Sequence, residues 1–382
     1  MKSIKNNLQI LKLRAIFLLT VTLIAEAIFT ALPLNIIKAY ADPFSKTITN
    51  TKLGSGDIGS PAEPATKDSP WSGSKVWYGK FKIGDNQPSP LLFRVLSPKT
   101  ATYTDTAHPT MFLDCENTLY SKAFNDPPYL ETVEGNLWRY SRLRYSLNGD
   151  DFLEKAEGFT DKERACIALS NLVGWCYESD SYLGDENKSF VFTHTKRTRA
   201  EVSSDKIFIL DAEEALNPSY GYWKHSGYLG GSEEPISINN HVKHYINNDS
   251  SYYWWLRTQG NQEDKVVIVL QKGNLSSTTI TSEGGLTYYN VSPALNIDLN
   301  SVLFSTVVTS DPGAGELNAE YKLTISDNSL SASITPGECV NKTGNMISIP
   351  YTVNGDPDHI SVLITDRDYY IEGANIKAYS SY

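Results

Sequence analysis

The segment Tyr252-Tyr253-Trp254-Trp255-Leu256-Arg257-Thr258 gathers the residue types best suited to gripping a ligand. A guanidinium offers a planar fork of donors that matches a carboxylate and stacks on aromatic rings. Successive side chains of a strand point to opposite faces, so Trp254 and Trp255 look opposite ways. One of them belongs in a core, and the other can stack on a sugar. Trp254, Trp255 and Arg257 are therefore the candidate ligand-binding residues. The competing reading makes Arg257 a buried arginine paired with a core carboxylate. That reading is preferred, because ring stacking and bidentate pairing serve packing as readily as binding.

Other constellations carry less. His241 and His244 are three residues apart and would share one face of a helix. Zinc could use that pair, but no H-E-x-x-H pattern or third ligand accompanies it, so a solvated surface pair is expected. Asp356, Asp358, His359, Asp366 and Asp368 cluster late in the chain. They lack the order of a calcium-binding EF-hand loop and read as turn-forming residues. No G-x-S-x-G elbow, phosphate-binding P-loop or G-x-G-x-x-G turn occurs. Cys166 and Cys176 sit among apolar neighbours, which does not favour a reactive thiolate. Asp150-Asp151, Glu213-Glu214 and Glu233-Glu234 are adjacent carboxylates, and adjacency alone does not aim two groups at one substrate. No catalytic residue, metal ligand or cofactor is assigned, and a non-enzymatic protein is expected.

Several elements must position these residues. Val76 to Phe81 and Leu91 to Leu96 read as a hairpin around Gly84-Asp85-Asn86. Helices are expected over Ser141 to Phe152, over Thr160 to Asn171 and, weakly, over Ser237 to Tyr245. Thr160 with Glu163 has the spacing of a capping box. Lys206 to Leu210 reads as a buried strand, and Asp211 caps a short helix over Ala212 to Leu216 that Asn217-Pro218 closes. Strands follow at Tyr252–Arg257, Lys265–Gln271, Leu275–Thr281, Thr287–Val291 and Ala294–Leu299. The expected fold class is α+β: a mostly antiparallel sheet with flanking helices, then a small all-β immunoglobulin-like domain. The divisions are a signal peptide at 1–41, a flexible linker at 42–74, the α+β domain at 75–305, a linker at 306–320 and the β-sandwich at 321–382. That last part offers about 60 residues where an immunoglobulin-like fold usually takes about 100.

The first 41 residues set the expected address. A basic start is followed by an apolar run from Ala15 to Ile37 and by Ala39-Tyr40-Ala41, the order of a secretory signal peptide with its cleavage site. Its removal takes away Lys2, Lys5, Lys12, Arg14 and Lys38 but only one acid, Glu26, so the net charge moves from −10 to −14. Such a chain repels phosphate backbones and anionic headgroups, so neither nucleic acid nor a membrane surface is an expected partner. No second apolar run is long enough to span a bilayer. Export permits disulfides among Cys115, Cys166, Cys176 and Cys339, and four cysteines allow three pairings.

Five motifs in order point to a family. Trp77-Tyr78-Gly79 with Phe93-Arg94-Val95-Leu96 comes first. Trp138, Ser141, Leu143-Arg144 and Leu147-Asn148 follow, and then Ile207-Phe208-Ile209-Leu210 with Glu213-Glu214-Ala215. Tyr252 to Thr258 and Val291-Ser292-Pro293-Ala294-Leu295 complete the series. Over roughly residues 75 to 305 the chain resembles the bacterial domain family of unknown function numbered six-two-seven-three, with its "WWLRS-P" and "VRPAL" segments. The chain departs from it at Thr258-Gln259, where Ser-Pro is usual, and at Ser292, where Arg is usual. The resemblance implies a C-type-lectin-like outline and a secreted or surface protein of a Gram-positive bacterium with immunoglobulin-like modules behind the domain. The tryptophan–arginine and proline–alanine–leucine segments are expected to be neighbouring strands. The expected function is a secreted or cell-surface binding module for an extracellular glycan or protein. An extracellular polysaccharide hydrolase and a structural scaffold are the alternatives.

Overall fold

A computed structural model describes residues 58–100 (without 85), 109–126, 135–173, 202–225, 237–260 (without 249), 264–282, 285–308 and 315–325, with residues 262 and 312. It also describes strands at 35–40, 48–49, 176–181, 189–193, 331–334, 341–343, 346–354, 361–365 and 376–381. The chain divides into two compact units. One comprises Ile58–Asn300 and Val308–Lys322, the other Met1–Asp57, Ser301–Val307 and Leu323–Tyr382.

The first unit is built on two sheets. In one, the strands run Ile207–Phe208, Ala294–Asp298, Thr110–Cys115, Ser89–Thr100 and Lys75–Phe81, the last of which pairs with residues 320–322. The expected hairpin is present, with Val76 opposite Phe93. The register slips between Trp77 and Lys80, where Gly79 takes a φ of 65°. The ring of Phe159 lies 2.3 Å from where a Cβ would stand, so only glycine fits. Thr110–Cys115 is buried along its whole length. A strand covered on both faces is an apolar run, and Met111-Phe112-Leu113 is one, with Asp114 as the exception.

The second sheet runs Leu275–Thr279, Lys265–Val269, Trp254–Gln259, Tyr288–Asn290 and Ser121–Ala123. The Trp254–Gln259 strand also meets Cys176–Ser181 at its far end, through Gln259 and Cys176. The tryptophan–arginine and proline–alanine–leucine segments are thus not paired strands. Trp254 pairs with Asn290, and the chain then crosses through Val291-Ser292-Pro293 to enter the other sheet at Ala294.

The expected α+β class with flanking helices is overturned, since the fold is mainly sheet. Among the described residues there are two α-helices, Arg142–Leu147 and Asp161–Cys166, of six residues each. Both begin as expected. Ser141 accepts from the Arg144 amide, and Thr160 forms the full capping box with Glu163. Both stop early because tertiary partners win over helix propensity. The Asn148 side chain donates to Arg144 and Ile207 carbonyls and accepts from the Lys206 and Ile207 amides, ending the first helix. Past Cys166, Ile167 bridges to Ile297 and the Ala168 amide donates to Asn296. Ser170–Val173 is then a strand paired with Val202–Asp205. The expected helix over Ser237 to Tyr245 shrinks to one 3-10 turn, Asn239–His241.

In the second unit, Met346–Asn354 pairs antiparallel with Asn35–Tyr40, Ser331–Ile334 and Asn341–Thr343. Ser361–Thr365 pairs with Ile376–Ser381. Residues 1–34 and 41 of the expected signal peptide lie outside the described residues, whereas Asn35–Tyr40 is a strand. Among the described residues, no helix is long and apolar enough to cross a membrane.

Candidate functional site

Trp254, Trp255 and Arg257 all point inward. Trp254 is 1% exposed, Trp255 0% and Arg257 3%. Arg257 Nη1 donates to Glu214 Oε2 at 2.6 Å and to the Ile209 carbonyl at 2.7 Å, and Nη2 donates to Asp211 Oδ2 at 2.6 Å and Glu214 Oε1 at 2.8 Å. The Phe208 ring lies beneath the guanidinium. Asp211 and Glu214 are fixed in turn, since each accepts the other's backbone amide. Trp255 donates its indole N–H to the Lys122 carbonyl, and Trp254 faces the Lys243 ammonium. Both tryptophans are covered because the strand lies inside its sheet, between neighbours on either side.

His241 and His244 do not form a surface pair. His244 is exposed, whereas His241 is 1% exposed and held between the Gly273 and Trp223 carbonyls. Burial pushes the His241 pKa down to about 4, against the pull of those carbonyls. No cluster of three metal-ligating side chains exists among the described residues. Asp356, Asp358, His359, Asp366 and Asp368 lie outside them. Cys115 and Cys166 are buried thiols. The side chain of Cys176 and all of Cys339 fall outside the described residues.

A polar cleft of about 350 Å³ opens elsewhere, between the Ser121–Ala123 strand and the Arg142–Leu147 helix. Lys122, Asp126, Arg142, Tyr145, Ser146 and Asp151 line it, with Gly149 and Asp150. Asp151 accepts from Lys122 at 2.7 Å and from the Ser146 hydroxyl. Burial works to raise the Asp151 pKa, but those two hydrogen bonds outweigh it and hold the carboxylate below its ordinary range. Arg142 faces Asp126 at 3.3 Å. Tyr145, 52% exposed, stands in the lining.

Several tyrosines lie elsewhere on the same sheet and just before its Trp254–Gln259 strand. Lys122 lies opposite Tyr289 in the sheet register, and directly opposed residues share a face. The Tyr289 ring contacts Trp255 and Tyr253, while Tyr252 contacts Tyr245. Tyr252, Tyr253 and Tyr288 are exposed. The adjacent acids Asp150-Asp151 were visible in the sequence. Arg142 and Tyr145 sit on the short helix just before them, whereas Lys122 is brought to them by tertiary contact from a three-residue strand.

No curated protein and no solved structure is significantly similar to the chain. Residues 112–299 match the family model of a domain of unknown function, DUF6273. That span takes in the Thr110–Cys115 strand from Phe112, the cleft, the Arg257 clamp and the Ala294–Asp298 strand. Over this span the chain is therefore similar to the DUF6273 domain family.

Proposed function

We propose that this is a secreted or cell-surface binding module whose cleft takes a glycan. One observation carries the reading: an exposed tyrosine stands among paired cations and carboxylates in an open cleft. Such rings present an apolar face to the C–H side of a sugar and a hydroxyl to its rim. Lys122, Arg142, Asp126 and Asp151 supply donors and acceptors for sugar hydroxyls and are already paired with one another.

The hydrolase alternative is favoured by the three carboxylates, Asp126, Asp150 and Asp151, in one cleft. A glycosidase needs one carboxyl that stays protonated to serve the leaving group. Asp151 is held the other way, as an anion, by Lys122 and Ser146. Binding without cleavage is the better fit.

The test is titration of the mature protein against a panel of soluble bacterial polysaccharides. Tyr145→Ala and Arg142→Ala should each weaken binding about tenfold, equivalent to about 1.4 kcal/mol. Reducing ends released from the same polysaccharides would shift the conclusion to hydrolysis. Undiminished binding in both variants would remove the cleft from the function.

A further inference from the structure

The core of the first unit holds a pair that neither the cleft nor the packing requires. The side chains of Lys243 and Asp114 are both 0% exposed, with Nζ 2.5 Å from Oδ2. The same nitrogen donates to Ser292 Oγ at 2.6 Å and to the Cys115 carbonyl at 2.7 Å. The Trp254 ring lies over it at 4.6 Å. Tyr222, also fully buried, donates its hydroxyl to the same Oδ2. The other carboxylate oxygen, Oδ1, is buried with no hydrogen-bond partner among the described residues.

Two opposite charges taken wholly out of water are held at a cost that their attraction does not always offset. A carboxylate oxygen left without a donor adds to that cost. Burial lowers the Lys243 pKa, with nearby Arg94 adding to that effect and Asp114 opposing it. An amine fixed against a carboxyl carbon in a dry pocket also gains from positioning, where effective molarities reach about 10⁵–10⁸ M.

We propose that Lys243 and Asp114 become joined by an intramolecular amide bond once the unit has folded. The ammonium gives one proton to Oδ2 along their hydrogen bond, leaving an amine beside a neutral carboxyl. The nitrogen lone pair attacks Cγ and the C–N bond forms. A second proton passes from nitrogen directly to Oδ2, the oxygen to which the Tyr222 hydroxyl also donates. The Cγ–Oδ2 bond breaks and Oδ2 departs as water. Oδ1 stays as the amide carbonyl, and nitrogen keeps one hydrogen for Ser292 or the Cys115 carbonyl. One ammonium and one carboxylate give one amide and one water, so charge and atoms balance with no oxidant or co-reactant. Both buried charges vanish, and the orphaned oxygen becomes that of a neutral amide.

The test is mass spectrometry of the denatured full chain with a tryptic map. The wild-type protein should be lighter than its sequence by one water. The map should contain a branched peptide joining the segments that carry Asp114 and Lys243, with no cleavage after Lys243. Asp114→Asn should lose ammonia and reach the same product mass as the wild type, an outcome that an ion pair cannot give. Lys243→Met should show its unmodified mass. A wild-type mass equal to the sequence, with trypsin cutting normally after Lys243, would overturn the proposal whether or not the variants fold.

Discussion

Replacing Arg257 with alanine separates the two roles open to the tryptophan–arginine strand. In the wild type its guanidinium satisfies two carboxylates that are themselves buried, Asp211 at 3% and Glu214 at 5% side-chain exposure. Removing the cation leaves both anions in a dry site, and breaking one buried pair typically costs about 3–5 kcal/mol. For a unit of this size each kcal/mol lowers the midpoint by about 2–4 °C, so Arg257→Ala should melt about 6–20 °C lower. All seven tryptophans fall between Trp71 and Trp255, so their fluorescence reports the first unit alone. Arg257→Lys keeps the charge and loses the fork, and should fall between the two. A triple variant Arg257→Met, Asp211→Asn, Glu214→Gln should regain part of the loss, because it leaves no unpaired charge. An Arg257→Ala protein that melts within about 2 °C of wild type, on the scale of that estimate, and yet no longer binds the polysaccharide of the wild type would refute the reasoning. The arginine would then be a ligand tool that happens to be covered.

The pH dependence of stability has two windows. His241 is kept neutral by burial, with its pKa near 4 against an ordinary 6.5, so the unfolded chain takes up the proton first. Stability should fall as pH drops from about 6.5 to 4, by about 3 kcal/mol from this residue, and His241→Gln should flatten urea midpoints across that range. Burial works to raise the Glu116 pKa, but Arg94 and Lys75 outweigh it and hold the carboxyl at about 2 against an ordinary 4.5. Its contribution is present above about 4.5 and lost toward 2, again about 3 kcal/mol, so Glu116→Gln should remove the slope in that lower window. Gly273 has a φ of 87° and a Cβ there would meet the Ile238 carbonyl oxygen at 2.1 Å, so Gly273→Ala should cost at least about 1–3 kcal/mol in chemical denaturation. Thr160→Ala breaks the capping box and should cost about 1 kcal/mol by the same measurement.

What the sequence revealed were local devices. The hairpin, the capping box, the cap at Asp211 and the strands at Trp254–Gln259 and Ala294–Asp298 follow from turn residues, spacing and alternation. What it concealed were long-range substitutions of one partner for another. The helix from Thr160 ends where Asn296 and Val202–Asp205 offer backbone partners, and nothing between Thr160 and Asn171 announces them. Lys243 lies two residues beyond a buried histidine and one before an exposed one. No periodicity marks it as the buried member of an ion pair with a residue 129 positions away. The cleft is hidden for the same reason, since Lys122 comes from a strand that only tertiary contact joins to the helix carrying Arg142 and Tyr145.

The three arginines of the motifs, Arg94, Arg144 and Arg257, share one task, and it is structural. Arg94 donates to Glu116 and the Asn240 carbonyl beneath Trp71. Arg144 donates to Asp205, which also accepts from the Trp138 indole, and Tyr145 covers it. Arg257 grips Asp211 and Glu214 over Phe208. Each is a planar cation clamped between a carboxylate and a ring, and each ties a strand or short helix to a segment distant from it or outside the ladders. A fold with short helices and many irregular connections has few repeating hydrogen bonds to hold those connections, and a guanidinium supplies several directed ones at once. The motifs are then the signature of a scaffold. The residues proposed to meet a ligand are among those the scaffold leaves in the open: Lys122, Arg142 and Tyr145 in the cleft.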